Sequence, residues 1–152
     1  MTDQELYRKH ADELVRYATG LVGPFDAPDV VADAWLRATH SKAWSGVTHR
    51  RAYLYRSVLN EARSHHRRTL RRRVRELKVA SPLRVAPPDV DVDVLAAVDK
   101  LSINQRSAIV LTYWEDLRPE DVAGRMGISA GSVKKHLARA RSRLKELLDD
   151  RQ

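Results

Sequence analysis

Residues 119–140, PEDVAGRMGISAGSVKKHLARA, decide how the 152-residue chain is read. Pro119 suits a first helical turn, because it has no N–H to leave unpaired there. Ala123 is small where two helices must cross closely, and Gly127, four residues on, can take the positive φ of a tight turn. Ser129 stands where an N-cap is needed, and Val133 is placed to bury the following helix against the preceding one. The spacing therefore predicts a helix-turn-helix. Its second helix would offer Ser132, Lys134, Lys135 and Arg139 to base edges in a major groove. Lysine and arginine there can donate to guanine O6 and N7 or to phosphates. A helical hairpin whose basic face is only solvated is the competing reading of the same stretch.

The charge pattern extends this outward. The chain carries net +8, with 43% apolar residues and no cysteine, so disulfide scaffolds, thiol nucleophiles and Cys-ligated zinc are excluded. Residues 61–78 hold eight basic and two acidic groups, and residues 134–145 hold six basic and none acidic. Those thirty residues carry +12, which leaves −4 for the other 122. Two basic patches on a mildly acidic chain call for a polyanion, and nucleic acid fits best. No apolar run approaches the roughly 18 residues of a membrane span, and MTDQELYRKHADELVR lacks a signal-peptide core. A cytoplasmic protein without membrane insertion is expected.

Abundant Ala, Leu, Arg and Glu with few Gly and Pro favour helices. Thr2 and Glu5 form a capping box ahead of a stripe made by Tyr7, Ala11, Leu14, Ala18 and Leu21. A second helix starts near Pro28 and carries Val31, Ala34, Trp35 and Ala38. Residues 41–49 show no period and read as a loop. A third helix runs from about Arg51 with Leu54, Tyr55, Val58, Leu59 and Ala62 inward. Prolines 82, 87 and 88 make 79–93 an extended linker. Beyond it, Ser102 and Gln105 form a second capping box before a helix carrying Ala108, Ile109, Leu111, Thr112, Tyr113 and Trp114. The last helix puts Val133, Leu137, Ala140, Leu144 and Leu147 on one side.

With these residues in place, the chain resembles the extracytoplasmic-function (group IV) sigma factors of the sigma-70 family. LSINQRSAIVLTYWEDLRPEDVAGRMGISAGSVKKHLARARSRLKELL, residues 101–148, follows the family pattern LPxxQRxVxxLxYxExLSYxEIAxxLGISxGTVKSRLxRARxxLRxxL almost without gaps. The first half fits through LYRKHADELVRYATGLVG (6–23), DAPDVVADAWLRA (26–38) and RAYLYRSVLNEARSHHRR (51–68). A stand-alone helix-turn-helix transcriptional regulator would share the second half but not the first. A helical nuclease or hydrolase built on His49, His65 or His66 would need clustered carboxylates, and the acids are scattered.

The resemblance implies an all-α protein of two small helical domains: a sigma-2-like domain at 1–78, the linker at 79–93 and a sigma-4-like domain at 94–150. It implies RNA polymerase core as partner, through the β′ clamp helices for the first domain and the β flap for the second. It also implies promoter DNA, read at the minus-10 and minus-35 elements, and the restraint by an anti-sigma factor common among family members. No cofactor, metal or catalytic residue is implied. Strand opening falls to Trp44, Arg51, Tyr53, Arg56 and Asn60, which supply an aromatic face with amide and guanidinium donors for an unstacked base. Trp44 either offers such a face or plugs the core, and Tyr55 rather than Tyr53 takes the core side. Arg63, Arg67, Arg68, Arg71, Arg72 and Arg73 would meet duplex phosphates, positioning without specifying. Asp29, Asp33 and Arg37 would face the polymerase, although Asp29-Val30-Val31-Ala32-Asp33-Ala34-Trp35 departs from the family's Asp-Leu-Val-Gln-Glu-Thr-Phe. Ser64 stands where many members have Asp, and Lys135 where many have Ser. His65 and His66 point about 100° apart on a helix, which disfavours a shared metal.

Overall fold

The chain opens with a reciprocal cap: the Glu5 N–H donates to Thr2 Oγ1 and the Thr2 N–H to the Glu5 carboxylate, both at 3.2 Å. This fixes the start of α1, Asp3–Val22. In this computed structural model, which describes residues 1–75 and 92–149, α2 follows at Ala27–His40 and α3 at Arg50–Arg75. Pro28 lies in the first turn of α2. A short 3-10 turn, Trp44–Gly46, interrupts the segment expected as loop. The three helices pack on one another, with Leu14, Leu21, Val31, Ala34, Leu54, Tyr55, Val58 and Leu59 fully buried.

The second half resumes at α4, Val92–Val98, so the last two positions of the expected linker are already helical, and the rest of it lies outside the described residues. The Ser102–Gln105 capping box opens α5, Ile103–Ile109. The chain then winds through a π-helical turn, Val110–Trp114, in which the Glu115 N–H reaches back five residues to the Val110 carbonyl. The wider turn shifts the phase of the helix. Leu111 stays buried, while Tyr113 and Trp114 are each about half exposed. A 3.6-residue period carried through Trp114 misses this change.

The helix pair read from residues 119–140 is present as α6, Pro119–Met126, and α7, Ala130–Asp149. Gly127 between them is left-handed, at φ 70° and ψ 34°, and both its N–H and that of Ile128 close on the Ala123 carbonyl. Ala123 and Val133 are buried at the crossing.

The two halves, read from the sequence as separately folded, share a continuous apolar core. Gly20 of α1 approaches the second half closely: a Cβ there would lie 2.6 Å from Val110 Cγ2, so with valine at 110 a glycine suits this position. Tyr17 Oη and Ser107 Oγ share a buried hydrogen bond of 2.5 Å beside it. Tyr17 lies on the inward face of α1, packed on Tyr55 as well as against the second half. Arg106, 5% exposed, is the polar centre of this seam. Its Nη1 donates to the Leu21 carbonyl at 2.7 Å, its Nε to the Leu101 carbonyl at 3.1 Å, and its Nη2 to the Asp99 carbonyl. The last turn of α1 has no basic residue of its own, so Arg106 supplies the cation that a helix C-terminus favours.

Arg106→Leu leaves three carbonyls without their donor, and the expected loss is about 2–4 kcal/mol in urea unfolding. Arg106→Lys should recover only part of that, because one ammonium cannot fork across carbonyls on different segments.

Candidate nucleic-acid interface

Helical spacing places Arg56, Asn60, Arg63, Arg67 and Arg71 along one stripe of α3. Arg56, Asn60, Arg67, Arg68, Arg71 and Arg72 are exposed and Arg63 is half-buried. The Arg73 side chain lies outside the described residues. Arg63 Nη1 donates to Asn60 Oδ1 at 3.1 Å and its Nε to Asn104 Oδ1 at 2.8 Å, which fixes the Asn60 amide relative to the guanidinium. Arg56 Nε donates to the Gly124 carbonyl at 2.9 Å and its side chain lies over the turn at Gly127. Arg67 reaches Ser64 Oγ at 3.3 Å.

The aromatic part of the expected site is arranged differently from the expectation. Trp44 is buried, 5% exposed, with its Nε1 donating to Asp3 Oδ1 at 3.1 Å. Its ring sits between Trp35 and Tyr53, at centroid distances of 6.0 and 5.9 Å, under the Arg50 guanidinium. Trp44 is therefore a core plug and offers no open face to a base. The turn that follows α2 folds it inward because Tyr7, Trp35 and Tyr53 already form an apolar hollow there. Tyr53, half-buried and donating to Ser41 Oγ at 3.3 Å, is the outer member of this row. Tyr55 is fully buried and packs on Tyr17, as its position opposite Tyr53 required.

Arg51 is held from below. Its Nη2 lies 2.5 Å from Glu13 Oε2, which also accepts from the Tyr55 hydroxyl at 3.1 Å, while Glu13 Oε1 meets His10. Burial alone would push the Glu13 carboxyl up, but the bonds from Arg51, His10 and Tyr55 and the charge of Arg51 hold it below the ordinary value. Burial, and then the Glu13 charge, push the Tyr55 phenol far above its usual value.

On α2, Asp29, Asp33 and Arg37 are all exposed. Arg37 has a second task that the sequence does not reveal: its Nε pairs at 2.7 Å with Glu61, a carboxylate 4% exposed on α3. On α7, Lys134, Lys135 and Arg139 point outward, whereas Ser132 is half-buried and accepts from Ser129 Oγ at 3.0 Å. His136, half-buried beside them, is pushed below its ordinary value by burial first and then by the charges of Arg139 and Arg63. Thus α3 and α7 bring basic groups to the two sides of one seam. His65 bonds Asp26 at 3.1 Å, and among the described residues no group of three His, Asp or Glu side chains gathers that could hold a metal ion. Among the same residues no helix is long and apolar enough to cross a membrane.

Comparison with known proteins places this arrangement. The family model described as Sigma-70 region 2 matches residues 6–73, and Sigma-70, region 4 matches residues 91–144. The chain is 34% identical to the RNA polymerase sigma-E factor of Streptomyces antibioticus, over 97% of its own length and 85% of that protein's. It is 32% identical to the ECF RNA polymerase sigma factor SigM of Mycobacterium tuberculosis, over 95% of its length and 76% of the relative's. Among solved structures, the sigma factor RpoE of Bartonella quintana, in complex with the anti-sigma factor NepR, superposes with a TM-score of 0.73 at 26% identity over 96% of each chain. CnrH, in complex with the cytosolic domain of CnrY, gives 0.65 at 26% identity over 99% of this chain and 89% of that one. The chain belongs to the sigma-70 family, in its extracytoplasmic-function group. As a sigma factor it directs transcription initiation, with RNA polymerase and promoter DNA as its partners.

The depressed Glu13 carboxyl has a sign that can be checked. Its stabilising contribution is complete above the unfolded value near 4.5 and is lost as pH falls through the lower folded value. Melting temperature followed from pH 7 down to about pH 3 should therefore fall more steeply in the wild type than in Glu13→Gln, which starts lower at neutral pH.

Proposed function

We propose that residues 1–78 dock on the β′ clamp helices and open the minus-10 element, while residues 94–150 dock on the β flap and read the minus-35 element. The observation that supports this most directly is the pair of exposed basic faces, one on α3 and one on α7, each on a different helical module. On α3, Asn60 supplies an amide that can bond a base edge, Tyr53 supplies the outer aromatic ring, and Arg51 and Arg56 supply guanidinium donors. These meet the need of a base leaving the stack for hydrogen bonds and a π face. Arg63, Arg67, Arg68, Arg71 and Arg72 meet phosphates. On α7, Lys134, Lys135 and Arg139 face the major groove, and Ser132 closes the helix start. Trp44 acts by bracing Tyr53.

Asp29 and Asp33 face the polymerase. Arg37 does so with only part of its guanidinium, since its Nε is committed to Glu61. The chain has no chemistry of its own to perform: phosphodiester formation belongs to the core enzyme, and the protein works in the cytoplasm, where that enzyme and the chromosome are. Restraint by an anti-sigma factor fits the likeness to RpoE, whose structure holds NepR.

Run-off transcription with purified core polymerase tests the assignment: specific transcripts should require both core and this chain. Asn60→Ala should impair promoter opening while leaving core association unchanged. Neutralising Arg67 and Arg68 together should flatten the log–log salt dependence of promoter binding by roughly 2, at about 0.9 for each phosphate that no longer meets a cation.

A further inference from the structure

Among the described residues Glu61 is the only acidic residue that is buried, at 4% exposure. A carboxylate taken out of water needs a counter-charge. Arg37 of α2 supplies it, with its Nε 2.7 Å from Glu61 Oε1. The pair is lopsided: the Arg37 side chain is 72% exposed, so beyond Nε its guanidinium is open to whatever covers α2. Glu61 directly follows Asn60 on α3, and successive helical residues point about 100° apart. The inward residue is thus anchored on α2 while the outward one, Asn60, stays exposed. We propose that Arg37 is a bridge: its Nη groups donate to a carbonyl or carboxylate of the polymerase while its Nε holds Glu61, so that docking of core on α2 sets the position of Asn60 on α3.

The bridge rests on the reading above, in which α2 meets the polymerase and Asn60 serves strand opening. In the free chain, water competes for the exposed guanidinium, and an ion pair with one partner in solvent holds weakly. Polymerase seated on α2 excludes that water, lowers the local dielectric and strengthens the attraction between Arg37 and Glu61. A guanidinium can serve both neighbours because its donors diverge in one plane, which an ammonium cannot match. Asn60 is then located twice, by the Arg63 Nη1 that donates to its Oδ1 at 3.1 Å and by the anchored residue that follows it in the helix. Arg37 is in this way a positioning residue for strand opening as well as a polymerase contact.

Full-length variants mixed with purified core report two quantities: affinity for core, and opening of the minus-10 element at saturating core, read by permanganate oxidation of unpaired thymines. Glu61→Leu should bind core like the wild type, because the Arg37 Nη donors remain, yet open the promoter about tenfold less. Opening equal to the wild type at saturating core overturns the bridge. Arg37→Leu combined with Glu61→Leu separates bridging from simple packing. No charge is left buried, so its melting temperature should return towards the wild-type value, while opening stays low. Recovery of opening together with melting temperature means that the pair only stabilises the fold, and overturns the proposal. Should Glu61→Leu fail to fold, Arg37→Lys decides, since one ammonium can hold Glu61 or meet the polymerase but cannot fork between them. Its melting temperature should stay close to that of the wild type while opening falls; opening and core affinity both at the wild-type level overturn the proposal. A wild-type chain that binds no core, or an Asn60→Ala variant that opens the promoter normally, removes the underlying reading and the bridge with it.

Discussion

The architecture depends on one close approach, the seating of the π turn at Val110 against the bare backbone of Gly20. A side chain at position 20 would meet the Val110 methyls, so that the valine or the seam would have to give way. Once they meet, Arg106 is buried and donates to carbonyls at Leu21, Asp99 and Leu101. A guanidinium suits this position because its planar donors diverge towards several acceptors at once and its charge lies at the negative end of α1. Tyr17 and Ser107 complete the seam with a buried hydroxyl pair, and burial raises the Tyr17 phenol far above its usual value.

From that constraint follows the placement of charge. Because α5 and α6 lie on the first part of the α3 stripe, its arginines divide into two groups. Arg56 and Arg63 are tied to Gly124 and Asn104, whereas Arg68, Arg71 and Arg72 stand exposed. Helix α7 approaches from the other side, close enough for Arg63 and Arg139 both to act on His136. Arg63 of the first basic run thus comes near the second, although the two are far apart in the sequence. The arrangement is tolerable because most of the cations face water, where solvent and salt weaken their repulsion.

The aromatic row Tyr7, Trp35, Trp44 and Tyr53 does comparable work for the first module. It fills the gap between α1, α2 and the start of α3, and it turns a segment without periodicity into a braced corner. Glu13 stands beside it as the acceptor for His10, Arg51 and Tyr55, joining α1 to the start of α3 with a largely buried carboxylate. Asn60 and Tyr53 are therefore carried on a braced helix rather than on a loop, which suits the strand-opening role proposed for them.

What the amino-acid order settled alone was local: the caps at Thr2 and Ser102, the proline starts at Pro28 and Pro119, the left-handed Gly127 and the stripes of α1, α2, α3 and α7. Each depends on neighbours within a few residues, so spacing and side-chain type suffice. The basic runs and the resemblance carried by residues 101–148 were equally legible, because they too are properties of the string. Only the tertiary structure decided that the two halves share a core, that Trp44 plugs rather than stacks, that Arg37 neutralises buried Glu61, and that Arg56 and Arg63 hold the second half. Most of those outcomes rest on distant partners, from 24 residues between Arg37 and Glu61 to 90 between Tyr17 and Ser107. No period or motif records such a pairing, since it arises only when separate helices exclude water between the same two surfaces.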